Sequence, residues 1–325
     1  MVDLKTEFAG LKLKNPIIIS SSGLTSSAEK NKRLEEAGAG AVVLKSLFEE
    51  QIMQKAKQVN EPIYYPEGGN YLTEHLYAQV LSDYLKLIQE SKKHCSIPII
   101  ASINCCTNKD WVEFAHKIES AGADAIELNI LSIQASPYYE CGEFENQHIE
   151  ILRKVKERVQ IPIIMKLGTN LTNPVALINK LRLHGAEGVV LFNRLYQTDI
   201  DIDKLEYVSG EILSSPSDLP ISLRWISLSS AIISNIDYAA SGGVHNADSA
   251  IKSILTGASA VEICSVIYKN GVQYIRPMLE TIERWMSQKG YESISQFKGL
   301  LKAKDINQAN AYERTQFLRY FSERE

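Results

Sequence analysis

The 325-residue chain contains no Cys-x-x-Cys pair, no surplus of basic charge, and no apolar run of the roughly 18 residues that a membrane span requires. Its five cysteines, Cys95, Cys105, Cys106, Cys141 and Cys264, show no metal or cluster spacing, and an odd count without a secretion signal points to reduced thiols. With 35 Lys and Arg against 39 Asp and Glu, the formal net charge is −4. That balance leaves no basic footprint, so nucleic acid is not an expected partner. Residues 1–6, Met-Val-Asp-Leu-Lys-Thr, read as neither a signal nor a transit peptide, and the expected compartment is the cytoplasm. The chain is long enough to bury one large core, and a single domain absorbs the whole length.

What the sequence does contain is an internal repeat. The pattern Gly-Ala-x-(Ala/Gly)-(Val/Ile)-x-(Leu/Ile) starts at Gly38, Gly122, Gly185 and Gly257. Each copy follows an apolar partner segment around Pro16, Pro98, Pro162 or Asp237, and those positions precede the glycines by 22, 24, 23 and 20 residues. Between partner and glycine there is room for a loop and one helix. Helical spacing is visible there, as in Trp111, Phe114, Ala115, Ile118 and Ala121. Apolar run, helix, apolar run describes a βαβ unit with strands buried on both faces. Four such units supply eight parallel strands, which predicts an α/β fold, a closed (β/α)8 TIM barrel forming a single domain over residues 1–325, with a C-terminal extension at about 300–325. An open doubly wound sheet is the competing arrangement, but the repeat has no point at which strand order would reverse.

Chemistry in such barrels sits at the C-terminal strand ends. Two strands end in lysine, Val42-Val43-Leu44-Lys45 and Ile163-Ile164-Met165-Lys166, and lysine is rarely buried without a partner. Each lysine either snorkels to the rim or, as the pair suggests, the two share an anionic or electron-rich ligand. Asn129 and Asn193 end two others, suited either to capping loops or to reading a heterocycle edge. Ser241-Gly242-Gly243-Val244-His245 follows the seventh strand, and the helix expected to open at Ala247 would aim free N–H groups at an anion. Cys264-Ser265 ends the eighth strand as the other wall of that cradle. A phosphate on one side of the mouth and lysines and amides on the other describe a phosphorylated aromatic cofactor or a sugar phosphate.

These segments, with Phe8-Ala9-Gly10-Leu11-Lys12-Leu13-Lys14-Asn15-Pro16, Glu127-Leu128-Asn129 and the late Gln288-Lys289-Gly290-Tyr291, resemble the dihydroorotate dehydrogenases, most closely their soluble branch. The resemblance covers nearly the whole chain. It implies FMN as cofactor and oxidation of dihydroorotate to orotate in pyrimidine (UMP) biosynthesis, with a soluble acceptor such as fumarate and a homodimer as the assembly. By it, Ser241, Gly242, Gly243, Cys264 and Ser265 would hold the FMN phosphate, while Ser21 and Gly23 approach the flavin through backbone. Lys166 would lie at the flavin N1 and C2 oxygen. Lys45, next to Ser46, would lie between flavin and substrate. Asn129 and Asn193 would contact the flavin or the substrate ring. Ser132 takes the position of the base that removes the C5 proton.

The chain departs from the family on the substrate side. Ile133-Gln134 stand where Pro-Asn is expected after the base, and only Asn70, within Glu67-Gly68-Gly69-Asn70-Tyr71-Leu72-Thr73, loosely matches the second orotate clamp. The Gly-rich turn before the seventh helix is expected at Ser222-Leu223-Arg224-Trp225-Ile226-Ser227, with Arg224 and Trp225 closing the phosphate side or packing the helix start. A site built to hydrogen-bond a polar ring loses selectivity steeply without those partners. Long excursions at residues 46–73, 130–145 and 193–224 are expected to cover the mouth. Cys141 on the second reads as a free loop thiol. Two further readings stay open: a divergent FMN paralogue acting on another small ring, and a non-redox phosphate-binding barrel.

Overall fold

The computed structural model describes residues 2–48, 68–104, 110–195 and 197–303, together with Leu318. Eight parallel strands form the barrel: β3 (Ile17–Ile19), β4 (Ala41–Val43), β6 (Ile99–Asn104), β7 (Ala125–Asn129), β8 (Ile163–Leu167), β9 (Gly188–Leu191), β12 (Asp237–Ser241) and β13 (Ala260–Ile263). Each pairs with its sequence neighbour, and β13 pairs with β3 in register Val261↔Ile17, so the sheet closes on itself. The short β5 (Leu47–Phe48) extends the pairing of β6 above β4. Helices Ala28–Glu36, Gly68–His94, Asp110–Ser120, Glu143–Lys156, Pro174–Leu183, Leu219–Ile232, Ala247–Thr256 and Ile275–Lys289 alternate with the strands. The (β/α)8 barrel read from the repeat is the fold of this chain.

The strand period of two divides the core. Ile17, Ile19, Val42, Ile99, Ile126 and Val189 belong to the main cluster shared with the helices. Their neighbours Ile18, Val43, Ile100, Ala125, Ile164, Val190, Ala239 and Ala260 form a second cluster inside the barrel. A two-stranded hairpin, β1 (Thr6–Phe8) and β2 (Leu11–Leu13), plugs the bottom of that interior, with Phe8 fully buried. Its turn residues Ala9 and Gly10 both have positive φ, 51° and 76°, as a tight two-residue hairpin turn requires. Gly188 makes room for the plug. A Cβ there would stand 3.0 Å from Ala9 and 3.2 Å from the Phe8 ring. Asp237 secures the turn by accepting from the Ala9 N–H at 3.0 Å.

The excursions at the mouth are shorter in loop than the sequence suggests. Residues 68–73 already belong to the helix Gly68–His94. The third excursion carries an antiparallel hairpin, β10 (Thr198–Asp201) and β11 (Glu206–Ser209), before its helix begins at Leu219. That helix start corrects the turn expected at residues 222–227, which lie inside the helix. The connecting turn is the stretch 214–218, closed by a short 3-10 turn at Pro216–Asp218. Trp225 packs on the core cluster and does not reach the phosphate side. The tail aromatics Tyr312, Phe317, Tyr320 and Phe321 lie outside the described residues, as do Cys105 and Cys106.

Candidate active site

Two residues above the apolar layer of the barrel interior, the same strand faces turn polar. Ile18, Ile100, Ala125, Ile164, Ala239 and Ala260 are followed at i+2 by Ser20, Ser102, Glu127, Lys166, Ser241 and Glu262, all of them buried. Side-chain alternation on six of the eight strands therefore stacks a polar, charged layer directly on a dry one. Above it opens a cavity of about 500 Å³ lined by residues from Ser20 to Tyr268, within the range of small-molecule sites.

Lys166 is 4% exposed and donates to Glu262 Oε2 at 2.6 Å, to Ser20 Oγ at 2.9 Å and to Glu127 Oε1 at 3.4 Å. Burial opposes its charge, but the two glutamates override burial and raise the ammonium above its ordinary range. Burial and the neighbouring Glu262 charge hold the fully buried Glu127 carboxyl well above the usual carboxylate range. Its proton is therefore held more tightly than that of an ordinary carboxyl, and its Oε2 has no hydrogen-bond partner among the described residues. Burial pushes Glu262 upward as well, yet Lys166 and the bonds from Glu127 and Ser20 keep it below the ordinary value. The layer sets one ammonium against two carboxyl groups, with Glu262 the nearer ion-pair partner.

A run of hydroxyls joins this layer to the cavity wall. Ser102 Oγ lies 2.8 Å from Ser46 Oγ, which lies 2.9 Å from Ser21 Oγ. Across the mouth, Asn193 donates to Asn129 Oδ1 at 2.7 Å, a pairing that fixes both amides at the cavity edge. Lys45 is exposed, lines the same cavity, and has no ion-pair partner among the described residues.

The turn expected to cradle an anion is placed differently from the sequence reading. Gly242 and Gly243 have φ of 84° and 75°, and a Cβ on Gly243 would meet Leu219 N at 2.3 Å, so only glycine fits against the start of the preceding helix Leu219–Ile232. The helix Ala247–Thr256 does not line the cavity, and Asn246 caps it by accepting from Ser249 N at 2.9 Å. The backbone turned to the cavity is instead Gly242 to Val244 and, opposite, Cys264-Ser265 at the start of the short helix Ser265–Asn270. Ser214 leans over this end: its N–H donates to Ser265 Oγ at 2.9 Å, and its carbonyl accepts from Lys269 at 3.0 Å. Burial pushes the Cys264 thiol up, which makes it a wall residue and not a nucleophile.

Ser20, Ser21, Gly23, Lys45, Ser46, Asn129, Lys166, Asn193, Ser241, Gly242, Gly243, Cys264 and Ser265 thus come together around one cavity. Ser132 does not line it. It is half-buried one residue beyond the lining Leu131, accepting from Gln134 at 3.0 Å, while its carbonyl takes the Asn170 amide. Asn70 sits in the first turn of the helix Gly68–His94, and its side chain lies outside the described residues. Cys141 is exposed. Glu127 and Glu262 escaped assignment from sequence, although the two acids occupy the same position in two repeat copies, Ala125-Ile126-Glu127-Leu128 and Ala260-Val261-Glu262-Ile263. An acid recurring inside an apolar strand is the signal that marks them.

Fold and site together define a (β/α)8 barrel whose strand ends enclose one cavity, bordered by glycine backbone above a buried layer of ionisable side chains. The chain belongs to the dihydroorotate dehydrogenase family, whose sequence profile matches residues 3–286. It is therefore a flavin-dependent oxidoreductase. It is 27% identical to the dihydroorotate dehydrogenase B (NAD(+)) catalytic subunit of Thermoplasma volcanium, over 92% of this chain and 99% of that one. Identity to the protein of the same name from Pyrococcus abyssi is 29%, over 91% and 98%. A protein of Aeropyrum pernix, provisionally named dihydroorotate dehydrogenase A (fumarate), is 27% identical over 91% and 97%. No described helix is long and apolar enough to cross a membrane.

Proposed function

We propose that this chain is an FMN-dependent dihydroorotate dehydrogenase that oxidises dihydroorotate to orotate, acting in the cytoplasm as a homodimer. One observation carries the reading: a single cavity has a glycine cradle at one end and Lys45, Lys166, Asn129 and Asn193 at the other. The cradle suits a phosphate because the turn Gly242 to Val244 borders the cavity together with Ser265, and glycine at 243 lets that turn pack against Leu219. FMN, when bound, supplies the two-electron chemistry. The residues do the rest. Gly242, Gly243, Cys264 and Ser265, with Ser241 behind them, hold the phosphate. Ser21 and Gly23 border the ring through backbone. Asn129 and Asn193 orient it or the substrate, and Lys45 with Ser46 lies between the two. Ser132, on the loop one residue beyond the lining Leu131, is assigned the C5 proton by the family resemblance alone, and Ser132→Ala is expected to slow reduction of bound flavin by about 10² to 10⁴ without loss of FMN. Unchanged reduction kinetics would remove Ser132 from the mechanism.

The substrate half favours a second reading, in which another small ring is oxidised or reduced. Ile133 is 73% exposed and Gln134 is tied to Ser132, where the family resemblance calls for a clamp on the orotate ring. Anaerobic addition of dihydroorotate to the FMN-loaded protein separates the two. Bleaching of the flavin band is expected for a dihydroorotate dehydrogenase, and a stable band would leave the second reading. A protein that stays colourless with FMN would support a phosphate-binding barrel without redox chemistry. Reoxidation by fumarate and by NAD(+), each tried alone, identifies the acceptor.

A further inference from the structure

Lys166 is the cation at the cavity floor, and it is neutralised before any ligand arrives. Its ammonium lies 2.6 Å from Glu262, which also lines the cavity and is 3% exposed. The groups that face Glu262 are few. Lys166 reaches it from β8, Glu127 from β7, and Ser20 from β3, donating at 2.9 Å; Cys264 is its neighbour on its own strand end. Behind Glu127, the Tyr84 hydroxyl is engaged with the Ser102 backbone at 2.8 and 2.9 Å. None of these offers Glu262 a second positive charge.

An anion docking at the floor must therefore compete with Glu262 for the same ammonium. If it wins, a carboxylate is left in a dry layer beside a second carboxyl group, and such a group neutralises itself by taking a proton. We infer that Glu262 withholds the charge of Lys166 from the ligand, so that negative charge reaches the cavity floor only together with a proton. The inference rests on the FMN reading above. The balance is simple. Hydride leaving a substrate carbon brings two electrons and one proton to the flavin and adds one negative charge, and one solvent proton taken up at the floor restores the sum. Ser20, which bridges Lys166 and Glu262 and lines the cavity, is the entry point for that proton. Glu262 acts through Lys166 and is a positioning residue, not a catalytic one.

Sulfite tests this without turnover, because it adds to oxidised flavin and leaves the ring negatively charged. The full-length protein is loaded with FMN, and sulfite affinity is followed across alkaline pH, where sulfite itself no longer titrates. In the unsubstituted protein, affinity is expected to fall about tenfold per pH unit, the signature of one linked proton. Glu262→Gln is expected to bind sulfite at least about tenfold more tightly and to lose that slope, a coupling of ordinary size between linked sites. Glu262→Asp keeps the charge and is expected to keep the slope. Equal or weaker sulfite binding by a Glu262→Gln protein that retains its flavin band would overturn the inference. So would a pH-independent affinity in the unsubstituted protein, which needs no variant to fold. Failure of the unsubstituted protein to retain FMN would overturn the FMN reading and this inference together, whereas retention with no effect of Glu262→Gln sinks the inference alone.

Discussion

Glu127 binds a proton more tightly in the fold than in the unfolded chain, and that fixes the sign of its contribution to stability. Its carboxyl lies well above the ordinary value because burial and Glu262 both disfavour its charge. Stability from this group is present at low pH and is lost as pH rises from the ordinary carboxylate value through the folded one. Glu262 works in the opposite sense, since its lowered value contributes stability that is lost as pH falls. Glu127→Gln, which cannot ionise, is expected to flatten the decline in melting temperature along a pH series that starts just above the ordinary carboxylate range, as seen by calorimetry. A decline as steep as in the unsubstituted protein would show that Glu127 is already ionised at the lower pH. Lys166→Met removes the one cation and leaves two acids facing each other. Breaking a buried pair in this way is expected to cost about 3–5 kcal/mol in denaturant unfolding.

At the scale of elements, the plug and the glycine turn carry separable roles. Phe8→Ala empties the bottom of the barrel and is expected to destabilise by about 3–5 kcal/mol while FMN affinity stays within a factor of about two, because the cavity lies a full layer above. Gly243→Ala forces a side chain at φ 75° into the start of the helix Leu219–Ile232. Strain of about 1–3 kcal/mol is expected there, with weaker FMN retention read by equilibrium dialysis. The elements were legible to different degrees for physical reasons. The repeat exposed all eight barrel strands because buried parallel strands read as continuous apolar runs with regular spacing. The helix Leu219–Ile232 was misread at its start because Ser222, Ser227, Ser229 and Ser230 make its interior look like a turn, while Pro220 in the first helical turn was the better boundary mark. The helix Gly68–His94 hid its beginning behind Gly68-Gly69. Strand-end residues were readable one at a time, but the union of Lys166, Glu127 and Glu262 was not, because they come from three different strands and meet only across the closed interior.

On the scale of the whole molecule, the proposed homodimer has the plainest test. Sedimentation equilibrium is expected to return twice the 36.4 kDa chain mass. The hairpin β10–β11 leaves Ile200, Leu205 and Tyr207 exposed at the mouth and is the first place to look for a contact if that mass is found. The stacking of a charged layer on an apolar one has a wider consequence. Single losses from the charged layer leave an uncompensated group, yet replacing Lys166, Glu127 and Glu262 together by apolar residues of similar volume would be neutral or stabilising by about 1–4 kcal/mol. Height along the barrel axis therefore sorts mutational outcomes. In a library scored for both abundance and flavin reduction, variants at the level of Phe8 and Ile164 would lose both together. Two residues higher, single variants would also lose both, and only the joint replacements would part the two scores, accumulating well as inert protein.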